Sequence, residues 1–193
     1  MMAKGLKALA REILVDPHRR VWTLQGFGML RCNLPGDIRL NVWDKSYEYR
    51  PKPSLIHDHP WDFTSIIVAG KLTNWLYDVG PETWCSGNPY WERQLRPGIG
   101  TEQLREEDTK VVLRYRSASV YGEGDSYKQF WNEVHQSDCE TGTVTLNFRD
   151  RSGRPDVARV YYELGGKWQT AEPRIATRDE IEDICDRSLS LWF

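Results

Sequence analysis

The period of the hydrophobic positions changes twice along this chain. Near its start, Leu6, Leu9, Ala10, Ile13 and Leu14 recur at helical spacing, with Lys7, Arg11 and Glu12 between them. This predicts an amphipathic helix over 4–15, packed on the outside of the body. Asp16-Pro17 ends it, because a residue that precedes proline is pushed out of the helical region. His18, set among Arg19 and Arg20, reads as solvated. From Val21 onward the period drops to two. Gly26 and Gly28 break a first strand, and Leu34-Pro35-Gly36-Asp37 is a turn between strands at Met29–Cys32 and Ile38–Val42. Leu72, Trp75, Leu76 and Tyr77 form another strand, and Val111, Leu113 and Tyr115 alternate with polar residues. Between them, Gly80-Pro81 to Pro97-Gly98 reads as an aromatic-rich hairpin or loop with Trp84, Tyr90 and Trp91. Thr143 to Phe148 and Val157 to Tyr162 are further strands. The helical period returns at the tail. Thr177-Arg178-Asp179-Glu180 fits a capping box, and Ile181, Ile184, Cys185, Leu189 and Trp192 make an apolar stripe, which predicts a helix over 178–190. Many short strands with Gly/Pro turns, and helices only at the two ends, predict a single all-β domain. Its core, a sandwich or barrel, covers about 21–165, with the terminal helices lying on it.

One stretch carries both hydrophobic pattern and chemistry: Leu55-Ile56-His57-Asp58-His59-Pro60-Trp61-Asp62-Phe63-Thr64-Ser65, followed by the apolar run Ile66 to Ala69 and a turn at Gly70. Side chains alternate faces along a strand, so His57 and His59 share a face and Asp58 takes the other. Phe63 and Ser65 stay on the histidine face if Pro60 introduces no bulge. Two imidazoles entering a core are expensive to bury without partners, and a metal satisfies both at once.

Composition changes this picture little. A net charge of −2 gives no sign of a polyanion-binding surface. Nine Trp, nine Tyr and five Phe favour strands. Cys32, Cys85, Cys139 and Cys185 are scattered without a Cys-x-x-Cys pair, so free thiols are expected rather than a disulfide framework. No apolar run has the form of a signal peptide or the length of a membrane span, so a soluble, cytoplasmic protein is expected.

The spacing around His57 resembles the first motif of the cupin superfamily, in which Gly, His-x-His, Glu and Gly follow at set intervals. His57, His59 and Gly70 fall on its register, whereas Pro51 stands at the leading Gly and Phe63 at the carboxylate ligand. Downstream, Gly124-Asp125 and His135 resemble the second motif, with Phe130 and Asn132 in its Pro and Gly positions. Asn tolerates the left-handed conformation that a turn Gly would supply. The two motifs cover about half the chain, roughly Leu55 to Phe148, and imply a double-stranded β-helix, or jelly roll, with a loop insertion near 80–100. Carried over by position, the resemblance makes His57, His59 and His135 ligands of a divalent metal, Fe²⁺, Zn²⁺, Ni²⁺ or Mn²⁺. Asp62 and Glu133 are candidate replacements for the missing carboxylate. Ser65, Arg114 and Tyr127 are candidate pocket residues, chosen on strand parity. Three-histidine sites resemble those of thiol dioxygenases in ligand type only, and Trp61-Asp62-Phe63 resembles cupin-like proteins of no known activity.

Two functions follow as expectations. One is a metal-dependent enzyme, oxygenase or other, acting on a small molecule at the barrel mouth. The ligand should tend to be anionic, because three neutral imidazoles leave the metal's charge uncompensated. The other is a non-catalytic module that stacks a sugar or nucleobase on the aromatic residues of 75–91, with the metal structural or absent. Neither nucleic acid nor membrane is an expected partner, and the assembly considered is a homodimer.

Overall fold

The computed structural model describes residues 2–48, 55–96, 102–103, 107–150, 157–165 and 173–193. Its chain runs α1 (Met2–Val15), β1 (Trp22–Gln25), β2 (Phe27–Leu34), β3 (Ile38–Glu48), β4 (Ile56–His57), β5 (Asp62–Ala69), β6 (Lys71–Pro81) and β7 (Asn88–Arg96). It continues through β8 (Glu102–Gln103), β9 (Thr109–Gly122), β10 (Ser126–Gln129), β11 (Val134–Cys139), β12 (Val144–Asp150), β13 (Ala158–Glu163), β14 (Arg174–Ile175) and α2 (Arg178–Trp192). The strands form two antiparallel sheets. The first has the order β10-β5-β12-β3-β2-β1-β14, and the second β13-β4-β11-β6-β9-β7-β8. Because β13 pairs with both β4 and β7, the second sheet closes on itself as a six-stranded antiparallel barrel. Closure removes the open edges that sheets otherwise present. A mostly-β body with helices at both ends agrees with the sequence reading and is compatible with a jelly roll.

Alternation places the two kinds of interior. On the first sheet, Leu30, Cys32, Leu40, Val42, Val144 and Leu146 face the helices. They pack against Ala10, Ile13 and Leu14 of α1 and Ile181, Ile184 and Cys185 of α2 in one apolar core. Residues of opposite parity, Arg31, Trp43, Ser65, Thr145 and Asn147, turn the other way and line a cavity shared with the second sheet. The barrel has its own small core of Ile56, Val111, Leu113, Val134 and Tyr161. All four cysteines are free. No helix among the described residues is long and apolar enough to cross a membrane.

Two expectations need correction. The stretch from Leu55 to Gly70 is not one strand: β4 belongs to the second sheet and β5 to the first, and residues 58–61 cross between them. The parity argument survives because both sheets face the same cavity. The 80–98 region is not a hairpin either. β9 lies between β6 and β7, and β7 runs on to pair with β13 and close the barrel. Pro51, at the first motif's leading Gly position, lies outside the described residues. Two turn positions meet their requirements. Gly70 has φ +81, and a Cβ there would fall 2.5 Å from the Thr143 hydroxyl, so both conformation and space demand glycine. Asn132 adopts φ 57, the left-handed conformation expected of it.

Candidate metal centre

The three histidines converge. His57 on β4 is the cross-strand partner of His135 on β11, which puts both imidazoles on one face of the second sheet. His59, two residues on, arrives from the crossing segment. Its Nε2 lies 3.1 Å from Nε2 of His135, and the ligand nitrogens of all three rings lie within 4.8 Å of one another. No other group of His, Cys, Asp or Glu among the described residues is close enough to share an ion.

Hydrogen bonds fix which nitrogen of two rings carries the proton. His57 Nδ1 is 2.9 Å from the carbonyl oxygen of Leu55, which can only accept, so Nδ1 donates and Nε2 keeps its lone pair. His135 Nδ1 donates to Asn74 Oδ1 at 2.8 Å. The Asn74 amide donates to Gln129 Oε1 at 3.0 Å, and the Gln129 amide donates to Glu133 Oε2 at 3.0 Å. Glu133 only accepts, so it orients each amide in turn and holds His135 with Nε2 bare. Arg116 pairs with the same carboxylate from outside. Such outer hydrogen bonds orient metal-binding imidazoles and raise their basicity.

Electrostatics act in the same direction. Burial lowers the pKa of all three histidines, and for His59 and His135 the fall is large. Repulsion from neighbouring histidines adds to the effect at His59 and His135; at His57 the hydrogen bond to Leu55 opposes it and the field of Arg31 adds to it, as Arg31 also does at His59. The site is therefore a cluster of neutral imidazoles.

Imidazole nitrogens suit a divalent ion, and one of the three pairs already has the spacing to share one, while the set as a whole lies within 4.8 Å. Bonds of about 2.0–2.1 Å separate two nitrogens by about 2.9 Å in octahedral and about 3.3 Å in tetrahedral geometry. The 3.1 Å between His59 and His135 falls inside that range.

The backbone carrying the trio is tied together by a charge pair. Asp58, on the opposite face from its histidine neighbours as parity requires, accepts from Arg159 Nε at 2.5 Å. Arg159 Nη2 also donates to the Asn132 carbonyl at 3.0 Å, and the Asn132 amide donates to the His59 carbonyl at 3.2 Å. The turn before His135 is thereby bonded to the segment that carries His59.

Other candidates fall in three places. Phe63 is buried and meets His59 edge-on, with ring centroids 5.0 Å apart, so an aromatic ring borders the imidazoles where the motif would place a carboxylate. Ser65 and Tyr127 face each other across β5 and β10 and line the same cavity. Tyr127, Ser65 and Ser137 hydroxyls are close, yet none meets hydrogen-bond geometry, and Ser65 Oγ is left without a partner. Burial raises the pKa of Tyr127, so it stays protonated. Asp62 does not line the cavity; its Oδ1 accepts from the Trp131 amide at 2.7 Å. Glu133 sits at the end of the amide relay. Arg114 is exposed on β9, with its guanidinium 4.5 Å above the Trp84 ring. Trp75, Trp84 and Trp91 do not line the cavity; Trp75 meets Tyr115 at a tilt, and Arg114 and Lys110 lie over the Trp84 and Trp91 rings.

Sequence reasoning missed Asn74, Gln129, Arg159 and Arg31. Two of these had a signal: Asn74 is in phase with the buried Leu72, and Arg31 with Met29, on strands whose alternation was legible. Gln129 and Arg159 act through contacts between distant segments. The chain matches no protein-family model, and no curated protein is detectably similar to it in sequence.

Proposed function

We propose that this chain is a metal-dependent protein of the cupin type, an enzyme in which His57, His59 and His135 hold one divalent ion and a small substrate binds in the cavity beside it. The observation that supports this most is the pair of committed Nδ1 protons on His57 and His135, which turns both Nε2 lone pairs toward one partly buried cluster. A bound ion would supply Lewis acidity and open coordination positions. Imidazole donors suit Fe²⁺, Ni²⁺ and Zn²⁺, whereas Mn²⁺ prefers carboxylate oxygen and is the least suited of the four. The metal's identity decides the reaction class: Fe²⁺ allows oxygenase chemistry and Zn²⁺ restricts the site to acid–base and hydrolytic chemistry. The protein's own groups do the rest. Phe63 and Trp61 pack against His59 and keep water from that side. Tyr127 offers a protonated hydroxyl to the cavity.

Calorimetric titration of chelator-treated protein with Zn²⁺, Ni²⁺, Mn²⁺ and, without air, Fe²⁺ tests this reading. One ion per chain is expected, and His57→Ala and His135→Ala should each weaken binding at least ten-fold. Binding that survives both substitutions, or none in the wild type, overturns it.

A further inference from the structure

Arg31 is the charged group in the cavity for which the metal site has no use. It lies in the middle of β2. Nε donates to Asn41 Oδ1 at 3.1 Å, and Nη2 donates to Gln25 Oε1 at 3.1 Å and lies 3.9 Å from Met29 Sδ. Nη1 has no partner, and no carboxylate among the described residues pairs with this guanidinium. The charged neighbour it feels is another cation, Arg149, itself paired with Asp37 at 2.9 Å. Burial and that like charge pull the Arg31 pKa down to about 10, still well above neutrality. The side chain is half-buried, so its guanidinium is partly removed from water at the cavity wall with no anion to compensate it. Three residues that line this same cavity carry a buried polar atom without a hydrogen-bond partner: Trp43 Nε1, Ser65 Oγ and Asn147 Oδ1.

We infer that the cavity takes a small organic anion, a carboxylate whose oxygens meet Arg31 Nη1 while the rest of the molecule reaches toward the imidazoles; this deepens, and rests on, the reading of the cavity as a substrate site. Guanidinium and carboxylate match in geometry and form short, charge-assisted bonds. Size limits the ligand further. The cavity volume is about 50 Å³, and at about 10–15 Å³ per water it holds about three to five waters. That suits an acid of a few heavy atoms.

The test uses the full chain, free of metal and then loaded with Zn²⁺, at constant ionic strength in chloride. Acetate and oxalate are the probes, and neutral acetamide is the control. Two quantities are followed: the melting midpoint and the Arg31 Nε–Hε resonance, assigned by its loss in Arg31→Met. Acetate and oxalate should move that resonance and raise the midpoint saturably, and acetamide should do neither. Arg31→Met should bind acetate at least ten-fold more weakly, and it should itself melt somewhat lower, because Asn41 Oδ1 and Gln25 Oε1 lose their donor. A resonance that ignores acetate, equal effects of acetate and acetamide, or an Arg31→Met variant that responds like wild type would each overturn the inference. Should Arg31→Met fail to fold, Arg31→Gln serves for the assignment, and the acetate and acetamide titrations themselves are read on the wild type. An acetate response at Arg31 in a protein that binds no metal leaves the anion pocket standing and removes the metal reading. Metal binding without any acetate response does the reverse.

Discussion

Phe63 is 5% exposed and forms part of the wall around the imidazoles. Replacing it by glutamate would add a charged ligand to a neutral donor set. Opposite charges a few ångströms apart gain several kcal/mol at an effective dielectric near 20, and desolvation offsets much of that, so a net gain of about 1–3 kcal/mol is expected. Phe63→Glu should therefore tighten Zn²⁺ binding about ten-fold or more by calorimetry, while the metal-free variant melts lower for want of a buried aromatic. Equal or weaker binding would show that Phe63 does not occupy the ligand position. Asn74 gives the complementary test. Asn74→Ala frees the Nδ1 proton of His135 from its acceptor, and losses of about 10–100-fold in metal affinity are typical of such outer contacts. His135 should remain in place, so circular dichroism should not change. At this scale the three histidines and Phe63 were legible, because each falls at a set spacing within one of the two short motifs, whichever strands those motifs later join. Arg31 was legible only as a residue in phase with the buried Met29; that no anion accompanies it depends on contacts between strands, which local pattern does not carry.

The helix α2 begins as its sequence announces. Thr177 accepts from the Glu180 amide at 3.3 Å, and Glu180 reaches back to the Thr177 amide at 2.8 Å, completing the capping box. Arg174, and then the Thr177 amide, hold the Glu180 carboxyl at about 2, below its usual 4.5. The folded value is the lower one, so the stability this carboxylate contributes is fully present above pH 4.5 and is lost as the pH falls toward 2. Glu180→Gln should flatten that part of the acid-unfolding curve, measured by urea titration at each pH. The effect should be close to the roughly 1 kcal/mol typical of a cap, because solvent screens part of the ion pair with Arg174. A variant as acid-sensitive as wild type would place the loss elsewhere. Both terminal helices, the β2–β3 turn and the alternation of β9 were legible, because each depends on local spacing. The break between β4 and β5 and the closure by β7 were not, because they depend on which strands pair, and local pattern is silent on that.

For the whole molecule, stability and chemistry occupy opposite faces of the first sheet. The face under α1 and α2 is apolar, with Leu30, Leu40, Leu146 and Ile184 almost wholly buried. Leu146→Ala should cost about 2–5 kcal/mol in chemical denaturation. Ser65→Ala, which removes an unpartnered hydroxyl on the other face, should cost little or be stabilising. The apolar core does not involve the imidazoles, so chelation should leave a folded protein. Added metal should then raise the melting midpoint with concentration, by about 2.7 kcal/mol at a hundred times its Kd. Chelator-induced unfolding would contradict that division. The cavity has one further consequence. His57 and His135 belong to the second sheet, whereas Arg31, Ser65 and Asn147 belong to the first. An anion that touches Arg31 and the metal at once is therefore a rivet through both layers. Without it the layers are free to breathe along this seam, and the amides of Ser65, Thr145 and Asn147 should exchange their hydrogens with heavy water faster than when metal and acid are both bound.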